Sequence, residues 1–219
     1  MPASLDLLCQ YRRLLAAVDA WFAGCLQHTG AHIRCAEGCS ACCRGLFDIT
    51  LLDALLLQEG LRTLSPAVQE AVRFKAKGFL PVLRRRWPGF AAPYLLNTRP
   101  AAEWPRLLDA ADEVPCALLD AAGACRIYPF RPLTCRLHGL PLVDRSGEIF
   151  EEQWCTRNFT GVDPLALEKL RGDFRDLFSE EVRLLRRLAL HLTGRPLAEL
   201  DTLIPCALLV DSGAYEGCL

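Results

Sequence analysis

Cys35, Cys39, Cys42 and Cys43 fall within nine residues, a density of thiols that no ordinary core segment needs. Thiolates are preferred ligands for zinc, copper(I) and iron–sulfur clusters, and short Cys-x2–4-Cys spacings let two sulfurs reach one ion from a single turn. Four more cysteines, Cys116, Cys125, Cys135 and Cys155, recur at gaps of nine to twenty residues in a region broken by Pro and Gly. They are the candidates for completing the site. Eight cysteines divide into two four-sulfur sites, or into one metal site plus a redox-active pair, and the sequence does not choose between them. The adjacent pair Cys42-Cys43 narrows the geometry, because neighbouring side chains diverge in helices and strands. One thiolate can face a first metal while the other faces a second site or a partner sulfur.

Four thiolates around a divalent ion leave a net charge of about −2, which is costly to bury uncompensated. Arg34, Arg44, Arg126, Arg131 and Arg136 stand beside the cysteines. Arg131 and Arg136 are the first expected to offset that charge and to hydrogen-bond sulfur. His32 and His138, three residues from Cys35 and Cys135, are alternative nitrogen ligands; a hydrogen-bonded histidine is the ordinary reading of each. The order Cys35-x3-Cys39-x2-Cys42 also matches the cluster spacing of radical S-adenosylmethionine enzymes. That match is incidental, since Ala41 stands where those enzymes carry an aromatic residue and the surrounding periodicity is mainly helical. Cys9, Cys25, Cys206 and Cys218 lie apart from other ligand-like residues, and each reads as a small packed thiol.

The elements that must position these residues read as follows. From Ser4 to about Gln27 apolar residues recur every three or four positions, which predicts an amphipathic helix capped by Ser4 and stopped at Gly30. Thr50-Leu51-Leu52-Asp53 is a capping-box-like start for a helix reaching about Gly60. Ser65-Pro66 starts another, with Pro81 as a kink or break. It ends in Arg84-Arg85-Arg86-Trp87, read as a solvated helix end. Residues 88–102 predict an irregular connection and 103–112 a short helix. Residues 115–155 predict loops, one short helix and a hairpin around the turn Asp144-Arg145-Ser146-Gly147. Asp163-Pro164 is expected to open the longest helix, to about Leu192, and a brief helix is expected around Leu197–Leu203. The fold class is therefore mainly α, an irregular helical domain with cysteine-rich loops and one short β-hairpin.

At 219 residues the chain is long enough to bury roughly 70% of its unfolded surface, so metal is not needed merely to supply a core. A single domain over 1–219 is expected, its cysteine region at about 35–160 packed against N- and C-terminal helices. Formal net charge is −1, which gives no general case for a nucleic acid or an anionic membrane as partner. The N-terminus lacks the pattern of a signal peptide, and no apolar run approaches the ~20 residues of a membrane span. Twelve cysteines in a cytoplasmic protein point to metal or redox chemistry rather than to structural bridges.

Taken together, Cys35-Ala-Glu-Gly-Cys39-Ser-Ala-Cys42-Cys43-Arg44, Pro115-Cys116-Ala-Leu-Leu-Asp120, Cys125-Arg-Ile-Tyr128-Pro-Phe-Arg131-Pro132-Leu-Thr-Cys135-Arg136 and Cys155-Thr-Arg-Asn158-Phe159 resemble the YkgJ-like cysteine-cluster proteins, the CxxCxxCC zinc- or iron-chelating family. The first gap is three residues here against two in the family's name. The resemblance, over about residues 35–160, implies a site of eight cysteines with zinc, iron or an iron–sulfur cluster as its metal. Flagellin lysine-N-methylase looks similar in its cluster, although no glycine-rich methyl-donor loop is recognisable in this chain. Three functions follow as expectations: a metal-binding protein, an iron–sulfur-dependent enzyme related to lysine-N-methylases, and a metal-stabilised interaction module.

Overall fold

A computed structural model describes residues 2–109 and 114–217. It is mainly helical, with two small antiparallel strand pairs. Helix α1 (Pro2–Thr29) runs into a 3-10 turn at Gly30–His32, so Ser4 lies inside the helix rather than capping it. Its buried residues Leu7, Leu8, Tyr11, Leu14, Leu15 and Val18 form the stripe that the three-to-four spacing predicts, and this face packs along α7 (Phe174–Thr193). Strand β1 (Asp48–Thr50) leads into α2 (Leu51–Arg62). Thr50 is the N-cap, with its side-chain oxygen 3.5 Å from the backbone nitrogen of Asp53. Leu51, Leu52, Leu55, Leu56, Leu57 and Leu61 are all buried. A helix apolar on nearly every side can satisfy that pattern only in the interior, and α2 is this fold's central helix.

Two helices follow, α3 (Pro66–Lys77) and α4 (Leu80–Arg86). Pro81 sits in the first turn of α4, where a missing N–H costs nothing, so it starts a new helix rather than kinking one. After the irregular stretch comes the short α5 (Trp104–Leu108); the rest of the expected 103–112 helix lies largely outside the described residues. Helix α6 (Leu133–Leu137) and the hairpin β2 (Leu142–Val143) with β3 (Ile149–Glu151) fall where the sequence places them. The hairpin turn closes with Gly147 N donating to Asp144 O at 2.9 Å.

Two expectations give way. Asp163-Pro164 opens only 3-10 turns at Pro164–Ala166 and Glu168–Leu170, and α7 begins ten residues later than expected at Phe174. The intervening chain is tied to β2 instead: Gly172 N donates to Val143 O at 3.0 Å, and a Cβ at Gly172 would meet Phe174 at 2.9 Å and the Trp21 ring nitrogen at 3.1 Å. Asp201–Leu203 is not helix but strand β4, paired antiparallel with β1. The helix there is α8 (Ile204–Ala207), begun by Pro205. Leu197, Leu200 and Leu203 are spaced in threes, which imitates a helical face, but pairing with β1 overrides it. Among the described residues no helix is long and apolar enough to cross a membrane.

Candidate metal centre

The chain between α1 and β1 is folded by two tight turns, Cys39 N to Ala36 O and Cys43 N to Ser40 O, both 3.0 Å. Gly38 sits at φ 87 and Gly45 at φ 85. The loop is then stitched to the next cysteine segment, because Cys116 N donates to Cys43 O and Gly45 N to Val114 O, each at 2.9 Å. Cys43 and Cys116 are thus held side by side by backbone alone.

Cys125 is placed by a compact turn around Asp120. Its Oδ1 accepts from Ala122 N and Ala124 N, both at 2.9 Å, and these bonds hold the Asp120 carboxyl below its usual range. Cys135 rides on α6, whose first residue, Leu133, donates its N–H to Asp53 Oδ1 at 3.0 Å. Cys155 is delivered by the return of the hairpin, Cys155 N donating to Gly139 O at 3.3 Å.

Seven of the eight cysteines, all but Cys155, line one narrow cavity of about 120 Å³. Cys155 faces the adjoining cavity, whose wall Cys42 shares. Within this arrangement the thiols fall into two neighbourhoods. Cys35 has Cys155, Cys39 and Cys42 as its neighbouring thiols. Cys135 has Cys116, Cys125 and Cys42. Cys42 belongs to both and hydrogen-bonds Cys43.

Burial pushes the thiols of Cys35, Cys125 and Cys135 up, and Cys116 to about 11. Cys42 is raised by its hydrogen bond with Cys43 and then by burial. Among the described residues no cysteines are joined in a disulfide, and no three Cys, His, Asp or Glu side chains converge closely enough to hold an ion as they stand. The donor set nevertheless fits a thiophilic cation: eight gathered thiols, whose sulfurs bind such an ion as it displaces their protons.

Arg131 and Arg136 lie against this cluster. Arg131 stacks on the Tyr128 ring, 3.7 Å to its centroid, and bonds Tyr128 O at 3.1 Å; its charge favours the thiolates of Cys42 and Cys125. Arg136 is buried, donating to Arg131 O at 3.0 Å and Pro129 O at 2.8 Å and pairing with Asp19. It therefore braces the loop that carries Arg131. Asn158 Nδ2 stands 3.2 Å from Cys35 Sγ, and Arg157 4.0 Å from Cys39 Sγ. Their sequence signal was their place in the segment Cys155-Thr-Arg-Asn158-Phe159, two and three residues after Cys155.

His138 lines both cavities and packs edge-on against Phe47, with burial holding its imidazole below its usual pKa. His32 lies in the turn after α1, where its carbonyl accepts Phe159 N at 2.7 Å. Cys9 is exposed on α1, and Cys25 and Cys206 are buried thiols in the apolar interior. Cys218 lies outside the described residues.

Among protein families, the model described as CxxCxxCC, putative zinc- or iron-chelating domain, matches residues 34–156, more than half of the chain. No curated protein and no solved structure matches it.

Proposed function

This chain belongs to the CxxCxxCC family of zinc- or iron-chelating domains, and from that premise we propose that it is a metal-binding protein whose eight cysteines form two ligand sets. Cys35, Cys39, Cys42 and Cys155 make one set. Cys43, Cys116, Cys125 and Cys135 make the other, completed by the backbone pairing of Cys43 with Cys116. The observation that carries this reading is the convergence of thiols from four separate segments on one cavity. Bound there, the metal supplies the positive charge that lets neighbouring thiolates coexist.

The protein's own part is to gather the sulfurs around one cavity and to exclude water with apolar residues such as Leu118 and Ile127. Arg131 offsets the accumulated negative charge. The eleven described cysteines are all free thiols, which suits a reducing compartment such as the cytoplasm. We read the chain as one domain, because its main apolar core takes residues from α1 through Tyr215.

Anaerobic purification followed by elemental analysis and an absorption spectrum tests this. Stoichiometric zinc in colourless protein, or iron with broad absorbance near ~400 nm, is expected. Absence of both metals from reduced protein with all thiols intact contradicts it. A second reading, an enzyme in which the cluster supports redox or methyl-transfer chemistry, is favoured by one observation: a larger cavity opens directly beside Cys42 and Cys155.

A further inference from the structure

That larger cavity measures about 690 Å³ and lies between α2, α6, α7, the β1–β4 pair and the hairpin. Three of its carboxyls come from distant parts of the chain: Asp53 on α2, Glu181 on α7 and Asp201 on β4. Asp53 is only 2% exposed. Both its side-chain hydrogen bonds, from Tyr11 Oη at 2.7 Å and Leu133 N at 3.0 Å, land on Oδ1. Among the described residues Oδ2 receives none, although it belongs to a buried carboxyl on the cavity wall. Glu181 has no hydrogen bond or ion pair among the described residues, and Asp201 has only the amide of Asn97, at 3.2 Å.

Cations do not answer these acids from within the protein. Arg157, beside Cys39 Sγ, is the one Lys or Arg on the described lining. Arg136 acts on Asp53 only through space and is itself held by Asp19. Placing the buried Asp53 and Asp201 and the half-buried Glu181 together without a counter-charge is costly, and a cationic ligand would relieve that cost. The wall also carries two more carboxyls, Asp48 and Glu151, the polar side chains of Gln153 and His138, and an apolar and aromatic part made by Leu142, Phe150, Trp154 and Phe178. The volume lies in the range of small-molecule sites, roughly 300–1,000 Å³, and exceeds what a bare ion needs.

We propose that this cavity binds a small organic cation, an ammonium or guanidinium group on a short apolar stem, with the charge among Asp53, Glu181 and Asp201 and the stem against Phe150, Trp154 and Phe178. The site uses none of the thiols as ligands, so it stands or falls separately from the metal reading. It places the bound molecule beside Cys42 and Cys155.

Titration calorimetry on the full chain as purified, at fixed metal content, tests the proposal. The probes are butylammonium chloride and butylguanidinium chloride, with butan-1-ol and butyrate as neutral and anionic counterparts. Saturable binding of either cation is expected, at least tenfold weakened by Glu181→Gln and by Asp201→Asn, with no binding of the alcohol or butyrate. N-acetyl-lysinamide and N-acetyl-argininamide separate the sources. Tighter binding than the simple cations assigns the site to the side chain of another polypeptide, and weaker binding assigns it to a free small molecule. Equal binding of butan-1-ol, no binding of either cation, or a response to calcium or zinc ions alone overturns the proposal. The comparison of cation with alcohol on the unaltered chain decides the matter even if a variant fails to fold.

Discussion

Asn158 Nδ2 stands 3.2 Å from Cys35 Sγ and 2.7 Å from Gly139 O, while Asn158 Oδ1 accepts Arg34 N at 2.8 Å. One buried amide thus joins three segments of the cluster: the loop after α1, the turn after α6 and the segment carrying Cys155. Its N–H favours a thiolate at Cys35 against the burial that disfavours one. Asn158→Asp keeps the shape but sets an acceptor against sulfur. We predict a tenfold or greater loss of metal affinity, within the ~10–100-fold cost of outer-shell changes, measured by competition with a chromogenic chelator. Unaltered affinity contradicts the role.

Gly139 is a second constraint on the same sulfur. It sits at φ 107, and a Cβ there would meet Cys35 Sγ at 3.0 Å and Cys155 Cβ at 3.8 Å. Gly139→Ala therefore combines backbone strain, about 1–3 kcal/mol, with displacement of Cys35. Lower thermal stability together with depleted metal is expected. A fall in stability with metal content intact would separate the turn from the site.

The two thiol neighbourhoods predict a division of the metal. Substituting Cys35 and Cys155 by Ser should remove about half of the bound metal, and substituting Cys116 and Cys125 the other half, if each set of four binds independently. Elemental analysis of both double variants checks this. Complete loss from either pair would mean one indivisible centre.

The buried acids predict a pH dependence with a definite sign. Desolvation raises Asp53 from its ordinary 3.8 to about 6 and Asp201 likewise to about 6, and it raises Glu181 from 4.5 to about 8. The folded chain keeps protons there that the unfolded chain has already released. Stability from these groups is therefore full below about pH 4 and is lost as pH rises through the folded values. Asp53→Asn retains the oxygen that Tyr11 and Leu133 use. Its stability relative to the unaltered protein should rise between pH 4 and 7, by on the order of 2–3 kcal/mol at about 1.4 per pKa unit. Denaturant unfolding of both proteins at each pH measures the difference, and a flat difference would contradict it.

Where local chemistry dominates, the sequence was a sufficient guide. The stripe on α1, the Thr50 cap and the Asp144–Gly147 turn are all set by neighbours within a few residues. The cysteine segments were legible for the same reason, since type and spacing announce them. Long-range pairing was not legible: β4 is strand because β1 lies beside it, although its leucines are spaced like a helix. Nor could the acidic cavity be read, because Asp53, Glu181 and Asp201 meet only after α2, α7 and β4 assemble. The brace that Arg136 forms with Pro129 O, Arg131 O and Asp19 likewise depends on α1 packing against α6.

X-ray absorption at the metal edge of the anaerobically purified protein tests the central claim most directly, because it counts the atoms bound to the ion. Zinc surrounded by four sulfurs at about 2.3 Å, or iron in an all-sulfur shell, is the predicted result. A first shell dominated by oxygen or nitrogen would place the metal outside the cysteine sets and contradict the account.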